Sequence, residues 1–405
     1  MSEKTAVFYF SCIYYDFLYQ RPQQLLREWR ADFADSYEFY YVEDPAVMRF
    51  VARSFHHFKQ SLATLFLKKH NNREDPFVLT LPCAPRSFHG RALPKQISQN
   101  VLSLRLIESA LHSTLKKRCG NEQTKVAIVA SPFWEPFISK NDFDLVCYDY
   151  LDPVELFSAD CYPVQEQHEK LIENSDIIFV TAQNLLDDAR SIADDKDIVM
   201  VSNATDVDFF EKNKNSHEIT DLRNTNRKRA GYMGTYDRVN MGLVYAAARE
   251  LTDVDFLLIG PRDKQRRHRA YQKPDNVFIL GTKEYTQLPA YVNIFDVALI
   301  PFTPSLIADS SDPVKLYDYF SLGKPVVATR SRELKKFDDG RLLKIAETED
   351  EFVDAIAAFL KYDAKEWQES RKQIAQQNSW HDKATTMMRS IELRLDERRA
   401  YEHGI

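Results

Sequence analysis

The chain has 405 residues, of which 44% are hydrophobic and 28% charged, and a formal net charge of −6. That length exceeds one ordinary core and suits two domains of roughly 150–200 residues each, while the mixed, mildly acidic charge supplies no basic field for nucleic acid. The five cysteines, Cys12, Cys83, Cys119, Cys147 and Cys161, show no CxxC spacing, which argues against a zinc site or disulfide framework and suits a reducing compartment. The opening MSEKTAVFYF has no small-residue cleavage site and reads as a first strand rather than a signal peptide. No apolar run approaches the ~20 residues of a transmembrane helix. A cytoplasmic location is expected, with any membrane contact made peripherally from the inner face.

In chain order, short β-branched and aromatic runs predict strands at 6–10, 39–42, 77–81, 126–130, 145–150, 177–181 and 198–202, with helical spacing at 22–34 and 164–174. A second series begins near Arg229. Its strands are predicted at 229–233, 255–259, 277–280, 297–300, 325–328 and 342–345, and its helices at 243–251, 287–293, 314–322 and 349–362. The stretch 211–228, EKNKNSHEITDLRNTNRK, is polar and is the best linker candidate. A long helix from about His381 closes the chain. The domains expected are therefore 1–210, with the final helix 381–405 returning to it, and 229–380. Strand–helix alternation predicts an α/β protein of two Rossmann-like units with parallel sheets. Two such units place a cleft between them, and ligands in such sheets bind outside the carboxyl ends of the strands.

Chemistry-bearing residues follow several of these strands. In Gly231-Tyr232-Met233-Gly234-Thr235-Tyr236-Asp237 a strand runs into a glycine turn before a helix. Gly234 would let backbone approach a phosphate, although a glycine after a strand is more often a plain turn. The absence of GxGxxG disfavours a nicotinamide cofactor. Further on, a strand ends at Ile300-Pro301, a polar loop follows, and Asp312-Pro313 reads as an N-cap with proline at N1. Gly323 reads as the C′ residue that stops this helix. Lys315 and Asp318 are spaced i, i+3 and share a face. A diphosphate would neutralise the lysine, and the aspartate could accept from a ribose diol. The alternative is an exposed helix bearing an ordinary lysine and aspartate.

DPVKLYDYFSLGKPVVA resembles the donor segment of bacterial GT-B glycosyltransferases, whose usual form is NPxKxYEYLAxGKPVV. GYMGTYD, FLLIGP, PDNVFILG and YTQLPAYVNIFDVALIP resemble the same family in order and spacing. FLYQRPQQLL is similar to the WxxxxQRPQHL segment of the teichuronic-acid and exopolysaccharide type, family-four-like in character, and VSNATDVDFF to PNGVDxxxF. NSWHDKA resembles the start of the C-terminal helix that crosses back to the first domain. The resemblance implies the GT-B fold, with its two sheets facing across a cleft, and transfer of a sugar from a nucleotide sugar, UDP- or GDP-linked, without metal or cofactor. It assigns Asp318 to the ribose, Lys315 to the diphosphate, and the Gly234 loop, with Thr235, Arg238 and Pro301 nearby, to donor contact. Many retaining members carry two glutamates eight positions apart. Asp318 takes the second place and Ser310 the first, with Asp309 and Asp312 alongside. Of the loop cations usual in the family only Arg238 is near, so the stereochemical outcome stays open.

In the first half, LVCYDYLDPVELF resembles the family's YDxxDDxxxF strand and loop. Asp152 and, behind it, Asp149 are the candidate general bases toward an acceptor hydroxyl, with Glu155 a lesser one. Asp152 before Pro153 also suits a cap. Gln20 and Arg21 open a helix after the first strand and are candidate acceptor or phosphate ligands, with capping the competing reading. Trp134 is either a sugar platform or a core residue. The segment 51–70, VARSFHHFKQSLATLFLKKH, reads as a basic amphipathic helix that could meet an anionic membrane carrying a lipid-linked acceptor, or could pack on the sheet. RDKQRRHR at 262–269 reads as a solvated loop. The expected partners are thus a nucleotide sugar and a glycan or lipid-linked acceptor, and no nucleic acid. A nucleotide-sugar epimerase of the same fold, an inactive nucleotide-sugar-binding subunit and a polysaccharide-binding scaffold are the alternatives.

Overall fold

The computed structural model describes residues 4–13, 15, 20–43, 77–79, 81, 101–120, 122–156, 164–220, 222, 226–261 and 272–402. The basic stretches at 51–70 and 262–269 lie outside them. No helix among the described residues is long and apolar enough to cross a membrane. The chain divides into two compact units: Met1–Thr181, Leu185–Val201 and Ala384–Ile405 form the first, and Ala182–Asn184 with Ser202–Lys383 the second.

The first unit is built on a parallel sheet in the order β3-β2-β1-β4-β5-β6-β7. These strands are Thr5–Phe10 (β1), Tyr37–Val42 (β2), Val78–Leu79 (β3), Lys125–Val129 (β4), Leu145–Tyr150 (β5), Ile177–Val180 (β6) and Asp197–Met200 (β7). Every residue of β1 is buried, as expected of a central strand covered on both faces. The helices Arg21–Asp32, Val101–Arg118, Val164–Asn174 and Gln183–Ile192 belong to the crossovers. The final helix, Trp380–Glu402, joins this unit from Ala384 onward. There Trp29 Nε1 donates to the Ala384 carbonyl at 3.0 Å, and Met387, Met388 and Ile391 are fully buried. Buried His168 ties the Val164–Asn174 helix to β5 and to the next helix, with Nδ1 3.0 Å from Tyr148 Oη and Nε2 2.9 Å from Asp188 Oδ2.

The second unit carries a parallel sheet in the order β10-β9-β8-β11-β12-β13. Its strands are Lys228–Met233 (β8), Val254–Ile259 (β9), Val277–Gly281 (β10), Val297–Ile300 (β11), Val326–Thr329 (β12) and Leu343–Ala346 (β13). Both sheets have the doubly wound order in which the direction of strand addition reverses, and in the second unit the reversal falls between β8 and β11.

The chain enters the second unit at Ser202, so the polar stretch 211–228 is not the connection between the units. Phe210 is fully buried in the second core, and Val207, Phe209, Ile219 and Leu222 pack against that core. Polar composition alone does not distinguish a linker from a segment that wraps a domain surface through a few widely spaced apolar anchors.

Candidate functional site

Three segments meet at the carboxyl ends of β8 and β11. The first is the turn after Met233. Gly234 sits at φ +143°, and a Cβ placed there would fall 2.9 Å from both Lys315 Cε and Tyr232 Oη. The positive φ is what favours glycine here, while the Lys315 and Tyr232 side-chain ends that a Cβ would meet could shift aside. The Gly234 N–H donates to the Ile259 carbonyl at 2.9 Å, Tyr232 Oη to the Thr235 carbonyl at 2.6 Å, and Tyr236 Oη to the Leu258 carbonyl at 2.9 Å. Asn240 then caps the Met241–Glu250 helix through Leu243 N–H at 3.1 Å.

The second segment follows β11. The Pro301 carbonyl accepts the Asn240 N–H at 2.8 Å, and the Thr303 N–H donates to the Arg238 carbonyl at 2.7 Å. These bonds lock the two loops together. Arg238 Nη1 donates to Ser311 Oγ at 3.1 Å, and Ser311 Oγ donates to the Ile307 carbonyl at 2.6 Å.

The third segment is the Val314–Ser321 helix. Its end is a Schellman motif: Lys324 N–H donates to the Tyr319 carbonyl at 3.0 Å and Gly323 N–H to the Phe320 carbonyl at 2.9 Å, with Gly323 at φ +69°. In its first turn Lys315 Nζ lies 4.8 Å from the Phe302 ring centre and 5.6 Å from that of Tyr232. Among the described residues it makes no salt bridge. Burial, and after it the neighbouring Arg238 charge, lower the Lys315 pKa to about 8 against the pull of Asp318. Asp318, one turn on, is 8% exposed and accepts from Thr205 Oγ1 at 2.7 Å. Burial raises its pKa to about 7, opposed by the Thr205 hydrogen bond and the Lys315 charge. A half-buried cation that makes no salt bridge among the described residues, beside a glycine turn at a topological switch point, suits an anionic ligand.

Residues 227–362 match the family model described as "Glycosyl transferases group 1". The second unit carries a glycosyl transferases group 1 domain. A Bacillus subtilis (strain 168) protein named as a teichuronic acid biosynthesis glycosyltransferase, TuaH, is 23% identical over 221 residues, covering 52% of this chain and 55% of that protein. The match thus spans about half of that relative's length. Sucrose-phosphate synthase from Thermosynechococcus elongatus is 14% identical with a TM-score of 0.68, covering 97% of this chain and 100% of that one. Anabaena HepE in complex with UDP and glucose is 11% identical with a TM-score of 0.65, covering 96% of this chain and 99% of that one. The fold is GT-B, with two Rossmann-like units.

Within the group 1 domain the structure brings Gly234, Arg238, Pro301, Lys315 and Asp318 into one neighbourhood, with Thr235 on the exposed lip of the turn. Thr205, and the Tyr232 and Phe302 rings near the lysine, are given no role by the sequence motifs. The available signal was an aromatic two residues before Gly234 and another directly after Pro301. Asp309 Oδ1 accepts the Arg332 N–H at 3.2 Å, and the residue lines a cavity of about 440 Å³ with Asn184, Arg330 and Lys335. Asp312 is not the helix cap, a position held by Pro313. Its carboxylate accepts from the Asn203 N–H at 2.6 Å and from Tyr317 Oη at 3.0 Å. The Asn203 side chain returns a bond to the Asp312 carbonyl at 2.7 Å. Burial raises the Asp312 pKa to about 6.

Three expectations for the first unit change. Asp149 is 0% exposed and forms a bidentate pair with Arg21, itself 3% exposed, through Nη2–Oδ1 at 2.9 Å and Nε–Oδ2 at 3.2 Å. Tyr9 Oη also donates to Asp149 Oδ2 at 2.8 Å, and Arg21 Nη1 donates to the Val201 carbonyl at 2.9 Å. Neither group can therefore reach a ligand: Asp149 is not a general base, and Arg21 is not an acceptor contact. Trp134 is 0% exposed, with Nε1 donating to the Ser11 carbonyl at 3.0 Å, so it is a core residue rather than a sugar platform. Gln20 remains exposed at the start of the Arg21–Asp32 helix, where its side chain takes part in a capping box with Gln23. Asp152 follows β5 and is half-buried at the carboxyl edge of the sheet, and Glu155 is exposed beyond it.

Proposed function

We propose that this chain transfers a sugar from a UDP- or GDP-linked donor to a hydroxyl of a lipid-linked or oligosaccharide acceptor, in the synthesis of a surface polysaccharide or glycolipid such as lipopolysaccharide. The observation that carries the reading is Lys315, held between Phe302, Tyr232 and Gly234 with no salt bridge among the described residues, and with Asp318 one turn away. The cation and the backbone of the Gly234 loop would take the diphosphate, and Asp318 the ribose. Fixed positive charge at a leaving diphosphate does the work that a metal ion does elsewhere, so no metal is required. The TuaH match and the UDP and glucose bound in HepE support the substrate class. Contact with the inner membrane face through 51–70 belongs to the proposal on sequence pattern alone.

Asp152 is the leading remaining candidate base of the first unit, with Glu155 behind it. A carboxylate at a strand's carboxyl end can accept the acceptor hydroxyl proton if it comes within ~3 Å. Asp152→Asn should leave the dissociation constant for the nucleotide within about twofold while lowering kcat by ~10²–10⁴. Calorimetry and single-turnover transfer to extracted lipid separate the two effects, and unchanged turnover removes Asp152 from the chemistry. Isomerisation of the donor with no acceptor present would instead reveal an epimerase.

The two shifted groups also set a pH dependence. A ribose diol needs Asp318 ionised, which in the free protein requires pH above about 7. A diphosphate needs Lys315 charged, which requires pH below about 8. Affinity for a nucleotide sugar, whose diphosphate diester does not titrate in this range, should therefore be bell-shaped, with its maximum between about 7 and 8. Lys315→Met should abolish the alkaline limb. A flat profile between pH 6 and 9 would contradict the assignment of both groups.

A further inference from the structure

Thr205 is 0% exposed and cannot itself touch a ligand. Its backbone is held on both sides: its N–H donates to the Asn378 carbonyl at 3.0 Å and its carbonyl accepts the Trp380 N–H at 3.3 Å, forming a parallel bridge with Ser379. Oγ1 therefore has a fixed origin, and it donates to Asp318 Oδ1 at 2.7 Å. Among the described residues Asp318 Oδ2 has no donor, although the residue is only 8% exposed. A carboxylate oxygen has two acceptor sites, so Oδ1 can hold Thr205 and still accept a second hydroxyl, while Oδ2 is open. Such an unfilled acceptor pair fits two adjacent hydroxyl donors. Lys315 lies one turn before Asp318 on the same helix face, within reach of a carboxylate free to turn about χ2.

We propose that Thr205 is a positioning residue that holds the Asp318 carboxylate away from Lys315 and in the plane that accepts a vicinal diol, giving this chain its preference for ribonucleoside over deoxyribonucleoside diphosphates. The proposal rests on the donor site described above. Without the Thr205 hydroxyl the carboxylate is free to pair with Lys315, which removes the diol acceptor and part of the phosphate-binding charge together. A site built to hydrogen-bond a hydroxyl discriminates strongly against the analogue that lacks it, because its own polar group is left unpaired.

The test is calorimetric titration of the full chain with UDP, 2′-deoxy-UDP, GDP and 2′-deoxy-GDP, using the parent and Thr205→Val, Thr205→Ala and Thr205→Ser variants checked for a cooperative melt. The parent should prefer the ribonucleotide by ~10-fold or more. Thr205→Ser, which keeps the hydroxyl, should retain that ratio. Thr205→Val and Thr205→Ala should bring it to about twofold and weaken diphosphate binding ~10-fold. An unchanged ratio in the folded Val or Ala variant overturns the positioning role while leaving the donor site intact. Failure of the parent to bind either UDP or GDP overturns the donor site itself, and the Thr205 inference with it.

Discussion

Lys315→Met is expected to weaken UDP or GDP binding by about 10–100-fold and to leave the protein folded with an equal or higher melting temperature. The affinity loss follows from removing charge-assisted hydrogen bonds to a phosphate, worth ~1.5–3 kcal/mol, at ~1.4 kcal/mol per tenfold. The stability effect has the opposite sign. The folded pKa of Lys315 is lowered to about 8, so between that pH and the unfolded value of 10.5 the unfolded chain holds more protons, and stability rises with pH through this window. Below about 8 the half-buried charge costs stability in full, and methionine removes that cost while keeping the stem against Phe302 and Tyr232. Calorimetry and a thermal melt on the same variant check both signs. A variant that binds as tightly as the parent removes the phosphate assignment. One that loses binding only because it unfolds would show the lysine to be structural.

Asp149→Ala should destabilise the protein by about 3–5 kcal/mol, the usual result of leaving a buried cation without its partner. Arg21 reaches Asp149 across 128 residues of sequence, and neither side chain has solvent to replace the other. The pair joins the start of the Arg21–Asp32 helix to the end of β5 and, through Nη1, to the Val201 carbonyl. Replacing both, as Arg21→Met with Asp149→Leu, should cost much less than the single change, since no orphaned charge remains. Urea unfolding of the two single variants and the double variant measures the coupling. Additive costs would mean that the pair is not acting as a unit. A catalytic Asp149 would show the reverse of the expected pattern, with lost turnover at normal stability.

These two sites show what the sequence could and could not convey. The Lys315–Asp318 face was legible because its geometry is local: i, i+3 spacing on a helix ended by Gly323 needs no knowledge of the rest of the fold. β5 and β11 were legible for the same reason, being short β-branched and aromatic runs with clear ends. The Val101–Arg118 helix was within reach, because Ile107, Leu111 and Leu115 recur every four residues and all three are buried. The Lys365–Gln376 helix was not, because its buried side chains are Arg371 and Ala375, which give no apolar period. Asp312 looked like a cap because aspartate before proline commonly is one. Its actual partner, the Asn203 N–H, is 109 residues away. For Arg21 and Trp134 the sequence left ligand contact and packing both open, and for Asp149 it offered a base: a charged or aromatic residue at a strand's carboxyl end reads either way, and only three-dimensional packing shows that each is already satisfied inside the core. Thr205 stayed invisible because its role depends on a backbone held by residues 378–380.

A crystal structure of the chain grown with UDP or GDP shows whether the switch point of the second unit binds the diphosphate of a nucleotide sugar. Phosphate oxygens are expected within ~3 Å of Lys315 Nζ and the Gly234–Thr235 backbone, and a ribose hydroxyl on Asp318. A nucleotide seated elsewhere, with Lys315 still packed on Phe302 and Tyr232 and touching no phosphate, would overturn the assignment.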